Sequence, residues 1–237
     1  MNGNTCAFIF ARGGSKGVKR KNLREVGGQS LLARSIMHAR EVVSREMVFV
    51  STDDGEIANV ATKMGVQVVW RDRSLASDTS PEWLSWKHAI STVQGSGIPV
   101  DIFLSIPTTA PLRETADIHK CLEFCDDSND CVVTVAESSV HPQFNLVRRD
   151  FLGYVELESR HQPAVSRRQD SGTSYFVTPV AYAAHAEFVL RNRSLWDGRV
   201  GSIVIPQERS LDIDTEWDLY LADLILSDRL RSRKFGA

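Results

Sequence analysis

"TCAFIFARGGSKGVKRKNL" (5–23) joins an unbroken apolar run to a loop holding three glycines and five cations. A run of six residues that is apolar on both faces suits a strand buried on both sides, as in a parallel sheet covered by helices. The loop after it has the ingredients of a phosphate cradle. Gly13 and Gly14 let backbone N–H groups approach an anion, Arg12 offers a planar fork, and Lys16 and Lys21 offer point charges. The segment fits neither G-x-x-x-x-G-K-[ST] nor G-x-G-x-x-G, so no standard nucleotide fingerprint is present.

Outward from this stretch, strand and helix patterns alternate. Gly27 and Gly28 mark a turn, Ser30 caps a helix, and Leu32, Ile36 and Val43 share its inner face. "MVFVS" (47–51) is the next strand, and Asp53 or Asp54 caps a helix carrying Ile57, Val60, Ala61 and Met64. "VQVVW" (66–70) ends at Arg71. Ser80 and Pro81 are read as cap and first helical residue, with Trp83, Trp86, Ile90 and Val93 as a core stripe. "VDIFLSI" (100–106) and "CVVTVA" (131–136) are strands flanking a helix that starts at Thr115, with Ile118, Cys121, Leu122 and Cys125 facing inward. "VGSIVI" (200–205) is the last strand. Thr215 and Asp218 form a capping-box variant before a closing helix with Trp217, Leu221, Leu224 and Ile225 expected as its apolar face.

This order predicts a three-layer α/β fold with a mostly parallel, doubly wound, Rossmann-like sheet. One domain spans 1–237. Between 138 and 182 the pattern loosens into short strands and loops, read as a small lobe suited to self-association.

The chain has 237 residues and a formal net charge of −2, so no global field recruits nucleic acid or an anionic membrane. No stretch approaches the roughly 18 apolar residues of a membrane span, and the start lacks a signal-peptide pattern. The four cysteines, Cys6, Cys121, Cys125 and Cys131, lack the paired spacing of a zinc site and read as buried thiols of a cytoplasmic protein. The six histidines fall in helical patterns or loops with no catalytic partner.

In such a sheet, ligands sit beyond the carboxyl ends of the strands. The basic loop, "STDD" (51–54), Arg71, "PTTAPLR" (107–113) and "LDID" (211–214) all follow strands and converge on that edge. Asp212 and Asp214 are two residues apart, so in extended backbone their carboxylates face the same way. Two acids near a helix start are stabilising without any ligand. Beside a basic glycine-rich loop they are better explained as a Mg²⁺ site, since Mg²⁺ is held by one or two carboxylates plus phosphate oxygens and water.

"ARGGSKGVKRKNL", "RDRSLASDTS", "PTTAPLR", "RRQD" and "LDIDTEWDL" together resemble the acylneuraminate (CMP-sialic acid) cytidylyltransferases, in the family's order, from about residue 6 to 226. The resemblance implies transfer of CMP from CTP to a nine-carbon α-keto acid sugar, with Mg²⁺ as cofactor. It implies that Arg12, Ser15, Lys16, Lys21 and Asn22, with Gly13 and Gly14, hold the phosphates and ribose, and that Arg71 and Ser80 lie near the cytosine. Asp212 and Asp214 would hold metal, making Arg12, Lys21 and the two aspartates the catalytic set. Thr108, Thr109, Arg168 and Gln169 would face the sugar, Arg168 across a homodimer interface. The chain departs from the family at Pro107, at Phe144 and at 176–179, all on the sugar side, so a legionaminic or pseudaminic acid is as good an acceptor as a sialic acid. Alternatives are a cytidylyltransferase for an eight-carbon keto sugar, a D-x-D metal-dependent glycosyltransferase and a non-catalytic nucleotide-binding module.

Overall fold

The computed structural model describes residues 4–14, 17–76, 80–159 and 172–235. The apolar run at the start is strand β1 (Thr5–Phe10), which alternates as its pleat requires. Cys6 and Phe8 enter one core while Ala7 and Ile9 enter the other. That two-sided burial places β1 inside a seven-stranded sheet with β4 (Val48–Thr52), β5 (Gln67–Trp70), β6 (Ile102–Ser105), β7 (Cys131–Glu137), β10 (Tyr175–His185) and β11 (Val200–Val204). The order is β11-β7-β10-β6-β1-β4-β5. Every pairing is parallel except those of β10, which runs antiparallel to both β6 and β7.

Helices cover both faces. On one lie α1 (Leu31–Val42), α2 (Gly55–Lys63) and α4 (Thr115–Glu123), packing Leu32, Ile36, Ile57, Ala61, Ile118 and Cys121 against Ile9, Val50 and Leu104. On the other, α3 (Glu82–Gly95) and α5 (Ala186–Arg191) bring Trp83, Trp86, Ile90 and Val189 onto Phe8, Phe49 and Phe103. Phe8 stacks between Phe49 and Phe103 at centroid distances of 5.4 and 5.1 Å, the range in which aromatic pairs attract. The expected three-layer sheet is the one observed.

The chain runs from β1 outward to β4 and β5, then returns to the opposite side of β1 as β6. The strand order therefore reverses at β1, and a crevice opens beyond its carboxyl end. Over this end lies α6 (Glu216–Phe235), packed on the small ribbon of β2 (Glu25–Val26) and β3 (Gln29–Ser30).

Three elements differ from expectation. The inner face of α6 is Leu219, Ala222 and Leu226, packed on Val18, Val26 and Leu31, whereas Trp217, Leu224 and Ile225 are exposed. The helix docks on the basic loop and ribbon rather than on the sheet, which selects a different stripe; Trp217 instead stacks on Tyr220 at 5.7 Å. Pro81 itself holds the N-cap position of α3, with ψ 132° and no side-chain cap, so Ser80 is not the cap. Proline fixes φ but leaves ψ free to remain extended. Finally, only part of 138–182 stands apart from the sheet. Strands β8 (Val147–Arg149) and β9 (Val155–Leu157) form a separate ribbon, while from Tyr175 the chain is already in β10.

Candidate active site

The loop after β1 is tied down before any ligand arrives. The Gly13 N–H donates to Asp53 Oδ1 at 3.1 Å, and a Cβ on Gly13 would lie 2.6 Å from Asp54 Oδ2. Of the two candidate caps, Asp54 caps α2, accepting from the N–H groups of Glu56 and Ile57 at 2.8 and 3.0 Å. Asp53 is thereby left to brace the loop. Buried Asn22 uses both ends of its amide, donating to the Arg12 carbonyl at 3.0 Å and accepting from Thr108 Oγ1 at 2.6 Å. Arg20 takes a left-handed backbone, φ 54°, uncommon for a residue with a Cβ, and its guanidinium is held by Glu56 at 2.8 Å. Directly after it, Lys21 turns inward.

The acid segment arrives from the far end of the chain. Ile213 N–H donates to the Thr109 carbonyl at 2.9 Å, fastening the segment beside the loop that follows β6. The capping pair closes as expected. Thr215 N–H donates to Asp218 Oδ2 at 2.7 Å, and Asp218 N–H returns a bond to Thr215 Oγ1 at 3.2 Å. Asp218 also accepts from the Asp214 N–H at 3.1 Å, fixing the second acid's backbone.

Lys21 Nζ then donates to the Ile213 carbonyl at 2.5 Å and to Asp214 Oδ1 at 3.3 Å. Gly17 packs so tightly on this segment that a Cβ there would fall 2.0 Å from the Asp214 carbonyl oxygen. Only a residue without a side chain fits.

Asp212 lies exposed beside the pair, yet crowding by protein atoms pushes its carboxyl above the usual range, and the Asp214 charge adds to the effect. A hydrogen bond with Thr109 and the charge of Lys21 oppose the rise. Two carboxylates close enough for the Asp214 charge to bear on Asp212 suit a divalent cation completed by phosphate oxygens and water. Among the described residues no third acid, histidine or cysteine joins them, so the donor set fits Mg²⁺ and not a closed protein cage.

Gly17, Lys21 and Asp214 rim a polar cavity of about 420 Å³ at the switch point, with Asp212 just outside its lining. At its other end Arg71, only 8 % exposed, donates from Nη1 to Ser85 Oγ at 3.2 Å, and Ser85 donates to the Leu75 carbonyl at 3.3 Å. Arg12, Asn22, Ser80, Thr108 and Thr109 share the same walls. Thr108 and Thr109 thus join the loop and the acid segment in one cavity. Ser15, Lys16, Arg168 and Gln169 lie outside the described residues. Phe10, Glu82 and Ser85 also line the cavity and Asp53 braces its loop, none of them read from the sequence as site residues. The "STDD" acids at a strand end are the one sequence signal for Asp53; Glu82 carries only the local signal of a first-turn helix acid.

Of the departures on the sugar side, Pro107 is half-buried with its carbonyl accepting from Ser35 Oγ at 3.2 Å, and Phe144 packs on His141 at 5.1 Å. The thiols are inert by burial, which pushes Cys6 and Cys125 to about 11 and Cys131 to about 12. His38 sits away from the cavity with Nδ1 3.1 Å from Thr115 Oγ1, and burial lowers it to about 4.

A family model described as cytidylyltransferase matches residues 6–200. Post-translational flagellin modification protein B of Campylobacter coli is 30 % identical over 96 % of this chain and 97 % of its own length. The CMP-N,N'-diacetyllegionaminic acid synthase of Legionella pneumophila is 28 % identical over 93 % of this chain and 95 % of its own. Among solved structures, a CMP:2-keto-3-deoxy-manno-octonic acid synthetase complexed with CTP shares the fold, with a TM-score of 0.71, 14 % identity and coverage of 95 % of this chain and 99 % of that one.

Proposed function

This chain belongs to the cytidylyltransferase family, and from that membership we propose that it transfers CMP from CTP to the anomeric hydroxyl of a nine-carbon α-keto acid sugar. The name of the Legionella relative favours a legionaminic-type acceptor within that class. What carries the reading in this molecule is the meeting of Lys21 and Gly17, from the first loop, with Asp214, from the last, at the rim of the polar cavity.

The sugar hydroxyl oxygen attacks the α-phosphorus as the bond to the bridging oxygen of the β-phosphate breaks. The hydroxyl proton passes to water and pyrophosphate leaves. Lys21 and Arg12 orient the triphosphate and offset the negative charge that grows on the departing oxygens, the largest single contribution in such sites. Asn22 and Asp53 keep the loop in place, so little reorganisation accompanies the reaction. Asp212 and Asp214 would hold Mg²⁺, which when bound neutralises the charge of the leaving pyrophosphate.

The sugar side is completed by a second copy of the chain, with Arg168 gripping the carboxylate through its guanidinium fork and Gln169 adding an amide donor. In support, the β8–β9 ribbon exposes Phe151 at 94 % and Tyr154 at 73 %, apolar surface that a monomer would leave in water. CTP as substrate and four buried, unpaired thiols suit the cytoplasm.

The test is to incubate the protein with CTP, Mg²⁺ and a panel of eight- and nine-carbon keto-acid sugars. Pyrophosphate and a CMP-sugar are expected with a nine-carbon acid. Release of a nucleotide from a sugar nucleotide donor would point to a glycosyltransferase, and binding without turnover to a nucleotide-sensing module.

A further inference from the structure

We infer that Glu82 reads the base of the nucleotide, accepting the exocyclic amine of cytosine opposite the donating guanidinium of Arg71, and so excludes uracil. This rests on the CTP reading above and adds the group that makes it specific.

The cavity holds two pairs of opposite charge, Lys21 with Asp214 at one end and Arg71 with Glu82, beside Phe10 and Ser85, at the other. Arg71 is nearly buried and held through Ser85, whose own hydroxyl proton is given to the Leu75 carbonyl. That end therefore has a fixed cation and a hydroxyl already engaged. Glu82, in the first turn of α3, is the acid lining that end among the described residues. Arg71 and Glu82 feel each other's charge yet make no ion pair, leaving space between them. Crowding by protein atoms pushes the Glu82 carboxyl above its usual range, against the charge of Arg71 and the N-terminus of α3, which both favour the carboxylate. Trp86, one turn further along, brings its indole N–H toward the same carboxyl without a hydrogen bond of ordinary geometry.

A guanidinium held through Ser85 beside a carboxylate in one cavity matches one pyrimidine edge. Cytosine presents an N4 amine that donates, beside N3 and O2 that accept. Uracil presents O4 and an N3–H, setting lone pair against carboxylate and donor against guanidinium. Arg71 is buried, and a buried donor left unpaired by the wrong ligand makes such a site discriminate.

The experiment measures kcat/KM for CTP and UTP with the acceptor sugar, and the melting shift given by CMP and by UMP, for wild type, Glu82→Gln and Glu82→Asp. Wild type is expected to be stabilised by CMP and not by UMP. In Glu82→Gln, whose amide N–H can donate to O4, the CTP:UTP ratio should fall at least tenfold, about what one lost polar contact costs. Glu82→Asp keeps the charge and should retain the preference with weaker CTP binding, which separates base reading from a folding defect. A wild-type ratio in Glu82→Gln would overturn the assignment. A wild type that binds neither CMP nor CTP would instead sink the parent reading, and this one with it.

Discussion

Lys21 holds two acceptors at once, the Ile213 carbonyl and the Asp214 carboxylate, and a bound triphosphate must compete for the same ammonium. Replacing Lys21 with alanine leaves no cavity in a half-buried loop position and breaks a pair whose acid is largely exposed, so stability should fall by about 1 kcal/mol or less. Turnover should drop about a hundredfold or more, mainly in kcat, because the lost charge acts on the transition state. Unchanged steady-state kinetics would reduce the loop to a solvated face. The aspartates should behave in the opposite sense. Asp212→Asn and Asp214→Asn keep shape without charge and should each nearly abolish turnover. Asp212→Asn should leave the fold intact or slightly steadier, since its carboxyl is crowded and repelled by Asp214. Melting curves should show the stabilisation of wild type by Mg²⁺ with CTP largely lost in both variants. Wild-type turnover at saturating Mg²⁺ in either would return that acid to the role of a helix-start charge.

The raised Asp212 carboxyl also sets a pH dependence. Its folded pKa lies above the unfolded value, so without metal the folded state binds this proton more tightly. The group's contribution to stability is fully present below the unfolded pKa and is lost as pH rises through the folded one. Activity runs the other way, because metal binding needs the carboxylate. The acid limb of kcat/KM should therefore lie above the ordinary carboxylate range and move to lower pH as Mg²⁺ is raised. A limb that does not respond to Mg²⁺ would disconnect Asp212 from the metal.

Between elements, the decisive contact is Gly17 against the segment leading into α6. Alanine at Gly17 would drive a Cβ into the Asp214 carbonyl, a backbone atom held by the Thr215–Asp218 cap and by the Ile213–Thr109 bond. Such overpacking costs about 1–3 kcal/mol, and here the strain would pull the loop from the acids. The expected outcome is a lower melting temperature together with loss of activity, both restored by reversion to glycine. Wild-type activity in Gly17→Ala would mean that loop and acid segment need not meet. The corrected face of α6 has the same cause: a helix packed on a loop and a small two-stranded ribbon buries whichever stripe meets Val18, Val26 and Leu31.

At the scale of the molecule, the proposed dimer makes a prediction that a monomer does not. Lys21→Ala damages the nucleotide side, and removing Arg167 and Arg168 damages the sugar side. Each variant alone should be nearly inactive, the second with CTP binding almost intact. If each site is built from two chains, mixing the variants under conditions that exchange subunits should recover up to about a quarter of the activity, the share expected for one intact site in each mixed dimer when half the dimers are mixed. An active species that elutes as a monomer would rule the arrangement out.

The sheet and its layers were legible in the sequence because they follow from local periodicity. Cys6 and Phe8 against Ala7 and Ile9 need only the two-residue pleat to reach opposite cores. The convergence of the basic loop, Arg71 and the acid pair on one edge follows equally from the right-handed crossovers of parallel strands. Tertiary structure alone decided what depends on partners distant in the chain. Asp53 and Asp54 are neighbours of the same chemistry, and only the position of the loop makes one a brace and the other a helix cap. Tyr175–His185 reads locally only as strand, and its place between β6 and β7 as their antiparallel neighbour depends on the fold. Glu82 reads locally as a first-turn acid, and only the fold sets it in a cavity with Arg71. Periodicity is a property of neighbouring residues, whereas a site depends on which distant surfaces the packed chain brings together.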